Sequence, residues 1–441
     1  MSTSAETPET VASARRASSK ASTLPGRDFL ANLGPGLITG ASDDDPSGIA
    51  TYSQVGAQFG FELLWTMLVS YPLMAAIQEI CARIGRVTGC GLAANLRKNY
   101  PRPVLYFVLA TMSAANIFNL GADIGAMGAS FALIVPFNAM FLTVMLGLAS
   151  LLAVLFIPYS TYSKYLKWLT LSLFAYVGVV FFVGAKWSAV LLATLIPHVT
   201  PTKEFLMALI AVMGTTISPY LFFWQASQEV EEVKTKRGEK ALKHAPSQAE
   251  AQLGRIHTDT YVGMALSNVV AFFIILTAAS TLYTHGITQV ETCAQAAAAL
   301  NPIAGRFATA LFVCGIVGTG LLAVPVLASS AAYGIGEACR WRVSLEQRPQ
   351  QAIGFYSAIT LAIATGLFLN FLRINPVKAL FWAAILNGLV AAPLMAIIML
   401  LASNRTVMGK FEVPLRLKLV GWCATAVMLC VCLGVLLTWK A

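Results

Sequence analysis

Charge is what this sequence lacks. Asp, Glu, Lys and Arg make up 11% of its 441 residues, against about 25% in soluble domains. Histidine occurs four times, at His198, His244, His257 and His285, in or beside predicted loops and never mid-span. The eight cysteines form no Cys-x-x-Cys pair, so no zinc or redox motif is indicated. H-E-x-x-H, G-x-S-x-G and G-x-x-x-x-G-K-[ST] are all missing. These gaps exclude a soluble enzyme, a coiled coil and a disordered chain. Hydrophobic residues fill the space, at 57% of the chain. They come in runs of about twenty and do not alternate, which predicts membrane helices and excludes a β-barrel.

Apolar spans are predicted at 61–82, 104–133, 137–158, 166–185, 205–228, 259–283, 307–335, 352–372, 377–402 and 417–438. A weaker one, rich in Gly, Ser, Thr and Asp, covers 33–59 and raises the count to eleven. Charge placement supports it. With a cytoplasmic tail and eleven spans, only Lys186, Lys203, Arg306, Arg373, Lys378 and Lys440 of the 30 basic residues face outward. The net charge of +10 therefore reads as orientation in a lipid bilayer, and no nucleic-acid partner is implied. The expected location is a bacterial inner membrane, with the N-terminus cytoplasmic and the C-terminus outside. Residues 1–28 read as a disordered tail and 29–441 as one transmembrane domain. The domain divides into halves at 29–198 and 203–402 plus an extra helix at 411–439. The 231–255 segment is the longest cytoplasmic connection.

Two spans contain what a membrane helix avoids. The first runs Gly34-Pro-Gly-Leu-Ile-Thr-Gly-Ala-Ser-Asp-Asp-Asp-Pro-Ser-Gly48. A charge at bilayer depth costs at least about 2.5–3.5 kcal/mol, and Pro46 removes a helix donor. Only a watered, protein-enclosed cavity tolerates this. The sixth span repeats the device in Gly214-Thr-Thr-Ile-Ser-Pro-Tyr220. Eleven spans read as five plus five plus one, so the two breaks match. Matched broken spans point to a transporter site between inverted repeats. Carboxylates at an unwound helix, with hydroxyls and freed carbonyls, suit a hard divalent cation.

These residues resemble a known family. Gly34-Pro-Gly and Asp45-Pro-Ser-Gly48 look like the Asp-Pro-Gly-Asn first helix of the NRAMP divalent-metal transporters. Gln78-Glu-Ile-Cys-Ala-Arg-Ile-Gly-Arg-Val-Thr-Gly89, with Leu92-Ala93, is similar to that family's second helix and its exit. Ser403-Asn-Arg-Thr-Val-Met-Gly409 looks like the tenth-helix exit. The resemblance runs from about residue 30 to the end. It implies an all-α, leucine-transporter-like fold with broken first and sixth helices, no enzyme activity and no resident cofactor.

The departures set the expected selectivity. Asp45 matches the family's ligand Asp, but Gly48 stands where the family has Asn. Ser218, Pro219 and Tyr220 replace Met-Pro-His, and Gln225 replaces a further histidine. The implied metal shell is Asp45 with the carbonyl regions of Ala41 and Thr215, the oxygens of Ser218 and Tyr220, and the space left at Gly48. Asp44, and less directly Asp43, is a further ligand or sets the cavity potential. Asp123 or Asn119 occupies the family's third-helix coupling position. Glu229, at the end of the sixth span, either lines an inner vestibule or solvates the helix end, and Asn387 is a cavity-facing candidate. Glu79 is expected to pair with Arg83.

With sulfur and imidazole gone, softness no longer selects against Mg²⁺, which keeps several waters and binds one or two carboxylates. The pattern resembles the NRAMP-related magnesium transporter branch, so Mg²⁺ and Mn²⁺ are the favoured substrates. Two alternatives stay open: a proton-coupled Mn²⁺/Fe²⁺ importer, and a cation-coupled organic-solute carrier of the same fold.

Overall fold

A computed structural model describes residues 35–158, 161, 172–183 and 186–440. The predicted tail at 1–28 and most of the fifth span lie outside the described residues. The helices are α1 (Pro35–Asp43), α2 (Pro46–Phe59), α3 (Trp65–Thr88), α4 (Leu92–Asn99), α5 (Arg102–Phe131), α6 (Ala139–Phe156), α7 (Phe174–Phe182) and α8 (Trp187–Leu195). They continue as α9 (Lys203–Thr216), α10 (Pro219–Thr235), α11 (Ala249–Thr281), α12 (Cys293–Ala298), α13 (Ala308–Ala338), α14 (Ile353–Leu369), α15 (Pro376–Ser403) and α16 (Leu415–Lys440). No strand occurs among the described residues.

Nine helical stretches among the described residues are long and apolar enough to cross a membrane. The first predicted span is not among them because its break leaves helices of 9 and 14 residues. The sixth span is counted as one stretch, 203–235, although it too is interrupted.

The polarity is turned inside out relative to a soluble protein. Phe156, Phe181, Leu195 and Leu437 stand exposed, while Asp43, Asp45, Arg86, Asp123 and Glu229 are each at most 2% exposed. Lipid takes the apolar exterior, so polar groups must find partners within.

Both breaks are built the same way. Pro46 and Pro219 each begin a helix, where the missing N–H is not needed. Each proline also deprives the carbonyl four residues earlier of its helical donor. Those carbonyls belong to Ser42 and Thr215. Asp45 caps α2 with φ −73° and ψ 170°, its carboxylate accepting from the Gly48 N–H at 2.8 Å.

Glycines bring the broken spans against their supports. A Cβ at Gly40 would fall on the Gly263 backbone of α11, and one at Gly214 on the Ala384 carbonyl and Gly388 of α15. Small residues let membrane helices approach backbone to backbone.

Candidate metal centre

The two breaks meet at Tyr220. Its hydroxyl donates to the Ser42 carbonyl at 2.9 Å and stands 3.5 Å from Asp45 Oδ2. One phenol from the sixth span thus satisfies the carbonyl that Pro46 orphans in the first. Tyr220 is held in turn by Ser330 of α13, whose hydroxyl donates to its carbonyl at 2.6 Å. The second orphan, the Thr215 carbonyl, accepts from the Ser218 hydroxyl at 2.8 Å.

Asp45 is the hub. Its Oδ1 accepts from the Ser47 hydroxyl at 2.7 Å and from the Gly48 N–H. Its Oδ2 accepts from Asn119 Nδ2 of α5 at 3.1 Å. One turn along α5, Asp123 is fully buried, with Asp45 its strongest charged neighbour. Neither Asp123 oxygen meets hydrogen-bond geometry with a protein group. Asn119 and Asp123, alternatives for one role in the sequence, therefore both face the Asp45 region.

Gly48 does not open a void. The space beside it holds Thr215 Oγ1 and the Tyr52 ring, at 3.2 and 3.3 Å from where a Cβ would stand. Ala41 lies in the last turn of α1, where carbonyls have no intrahelical partner. Gln225 accepts from the Thr39 hydroxyl of α1, and its Nε2 is buried without a partner. Asn387 sits beside Gly388 on the turn of α15 that packs on Gly214, with both amide atoms unpaired.

Two of the predicted residues lie elsewhere. Asp44 turns to α11, where Ser267 donates at 3.1 Å. Glu229 is held by Arg255 at 2.6 Å, with Arg86 at 4.0 Å. It belongs to a charge network between the first, second, sixth and seventh spans. Arg86, completely buried, meets Glu239 at 2.7 Å, and Arg255 also meets Glu232 at 3.0 Å. Asp259 accepts from the Gly36 N–H at 2.7 Å, tying the start of α1 into the network. The 236–245 segment seals it, with the Leu242 and Lys243 N–H groups donating to the Arg86 and Val87 carbonyls. Glu79 pairs with Arg83 at 2.7 Å and also meets His257 at 3.0 Å, so His257 is not the lone surface histidine the sequence suggests.

Sequence reasoning missed Ser267, Tyr52, Arg86 and Arg255 as parts of these clusters. Arg86 and Arg255 were countable as orientation charges. Their signal was the complementary Glu229 and Glu232, three residues apart at the end of a membrane span.

Among the described residues no three His, Cys, Asp or Glu side chains come together as a metal-holding group. An ion here depends on one or two carboxylates plus neutral oxygens. Buried polar atoms with no partner surround that place: both Asp123 oxygens, Thr215 Oγ1, Tyr52 OH, Asn119 Oδ1 and Gln225 Nε2. Buried polar groups are rarely left unpaired, and a hydrated cation supplies partners to both donors and acceptors.

A family model described as natural resistance-associated macrophage protein-like matches residues 36–438. The chain belongs to the Nramp family. The divalent metal cation transporter MntH of Klebsiella pneumoniae (strain 342) is 25% identical over 410 residues, covering 90% of this chain and 92% of the relative. The fold is similar to the crystal structure of the Eremococcus coleocola manganese transporter bound to an aromatic bis-isothiourea-substituted compound. That match has a TM-score of 0.71 at 17% identity, over 92% of this chain and 86% of the other. It also resembles Mhp1, a nucleobase-cation-symport-1 family transporter, with a TM-score of 0.56 at 13% identity, over 93% and 92% of the two chains. The leucine-transporter-like architecture expected from the broken spans is the fold observed. Nramp membership places the chain among multi-pass membrane transporters of divalent metal ions, and not among enzymes.

Proposed function

We propose that this Nramp chain is a secondary transporter or facilitator whose favoured substrates are Mg²⁺ and Mn²⁺. The ion passes the membrane midplane at Asp45, by alternating access. The observation that carries this reading is the chemistry around that carboxylate. Asn119, Ser47 and Tyr220 surround it, with the Thr215 hydroxyl nearby at Gly48. Neither sulfur nor imidazole takes part. Three close donors already occupy Asp45, and a carboxylate has about four lone-pair positions. A cation that keeps part of its water shell and reaches Asp45 through one oxygen or a bridging water fits this better than a dehydrated one. The carbonyls near Ala41 and Thr215 and the oxygens of Ser218 and Tyr220 complete the shell directly or through water.

Alternating access is supported by the asymmetry of closure. The Arg86–Glu239 and Arg255–Glu229 pairs close the side that the charge bias assigns to the cytoplasm. A rocking of one five-helix repeat, 29–198, against the other, 203–402, has to break them. The same bias supports a bacterial inner membrane, with a cytoplasmic N-terminus and an outside C-terminus.

The test is Mn²⁺ uptake into liposomes holding the purified protein, with and without excess Mg²⁺, while internal pH is recorded. Uptake suppressed by Mg²⁺ without acidification, and lost in Asp45→Ala, is expected. A second reading, proton-coupled Mn²⁺ or Fe²⁺ import, draws on the unpaired Asp123 carboxyl near Asp45. Uptake that ignores Mg²⁺ and carries protons would establish it instead. An organic-solute carrier would show no metal flux at all.

A further inference from the structure

The three consecutive aspartates do not share one centre. Asp45 turns toward α5 and Tyr220. Asp43 and Asp44 turn toward α11, where the Ser267 hydroxyl lies 2.7 Å from Asp43 Oδ2 and 3.1 Å from Asp44 Oδ1. The backbone arrangement explains the meeting. Gly40 packs on Gly263, so residues one turn further along each helix, Asp43 and Ser267, stand opposite each other.

One hydroxyl carries one proton, and it is shared between two carboxylates. Asp43 is 1% exposed and Asp44 5%. Asp43 Oδ1 accepts from no protein group. The end of α1 adds its own unpaired carbonyls and the negative end of its dipole. Every one of these features repels a further anion and calls for positive charge.

An independent side chain points the same way. Tyr52 comes from α2, is 1% exposed, and its hydroxyl has no hydrogen-bond partner. The charge acting on it most strongly is Asp43, followed by Asp44. Its oxygen is a neutral donor beside the pair, uncommitted to any protein group.

We propose that Asp43, Asp44 and Ser267 form a second site for a hard divalent cation, between the end of α1 and α11. It rests on the reading that the chain carries divalent metal ions. The donors are all oxygen, which excludes selection by softness. Two carboxylates with a hydroxyl and retained waters are the usual setting for Mg²⁺ or Mn²⁺. Cargo at Asp45 then has a neighbouring ion within the same broken span.

The test is equilibrium dialysis of the purified full chain against radioactive Mn²⁺. Two ions per chain are expected for the natural sequence and one for Asp45→Asn. The double variant Asp43→Asn/Asp44→Asn should also hold one. If the double variant binds as many ions as the natural chain, the proposal is wrong. Where that variant does not fold, Ser267→Ala keeps both carboxylates and should weaken one of two binding phases roughly tenfold or more. Unchanged binding curves for Ser267→Ala would overturn the proposal equally. Failure of the transport reading looks different: no Mn²⁺ is bound by any version, and none crosses the liposome membrane.

Discussion

Tyr220→Phe removes one oxygen and should disturb both breaks. The phenol hydroxyl is the donor to the Ser42 carbonyl, and Pro46 has no N–H to replace it. It also stands 3.5 Å from the carboxylate of Asp45. A buried acceptor left unpaired costs about 1–3 kcal/mol. The cost falls on the conformation in which the two breaks are tied together. At about 1.4 kcal/mol per tenfold, its population against conformations that untie the breaks falls between roughly fivefold and 150-fold. The ring stays, so Phe keeps the packing of a residue that is 0% exposed. Mn²⁺ uptake over a range of concentrations should show a changed apparent affinity and maximal rate. Hydrogen exchange around residues 42–48 should quicken. Ser218→Ala is the matched control, since it frees the Thr215 carbonyl and leaves the tie between spans in place. Uptake and exchange indistinguishable from the natural chain would refute the argument that Tyr220 couples the breaks.

Other outcomes follow from the same contacts. Arg255→Met leaves Glu229 and Glu232 with Arg86 at 4.0 and 3.9 Å and should destabilise the fold by about 3–5 kcal/mol, read by thermal unfolding in detergent. Adding Glu229→Gln should recover part of that loss, and a strictly additive double variant would deny that the pair interacts. Gly40→Val should abolish uptake, because its side chain would enter the Gly263 backbone. Gly48→Ala should be milder, since its neighbours at 3.2 and 3.3 Å are side-chain atoms that can shift. Ser218→Met adds a thioether and should move preference toward Cd²⁺ and Mn²⁺ over Mg²⁺, measured by competition in liposomes. An unchanged order of competition would show that position 218 does not govern selectivity.

Much of the architecture was legible because membrane constraints act locally. A run of apolar residues has to be a helix in lipid, whatever its neighbours. Asp-Pro and Ser-Pro inside such runs had to be breaks, since proline at the first helical position starts a helix and cannot continue one. Asp45, Asn119, Tyr220 and Thr215 were therefore nameable from spacing and resemblance, and the fold brings them together. The space expected at Gly48 was misjudged for the same local reason. One missing side chain is visible in sequence, but the Tyr52 ring and Thr215 hydroxyl that fill the room come from packing.

By itself the sequence determined where helices run, where two of them break, and that carboxylates lie at one break. Tertiary structure alone decided which way each carboxylate turns. Asp43, Asp44 and Asp45 are adjacent and chemically identical, yet two face Ser267 and one faces Asn119. It also decided that Glu229 is a latch to Arg255 and not a free vestibule acid. The physical reason is that apolarity and backbone breaks are properties of a segment. The partner of a buried charge is set by whichever distant helix the glycine contacts bring within hydrogen-bond reach.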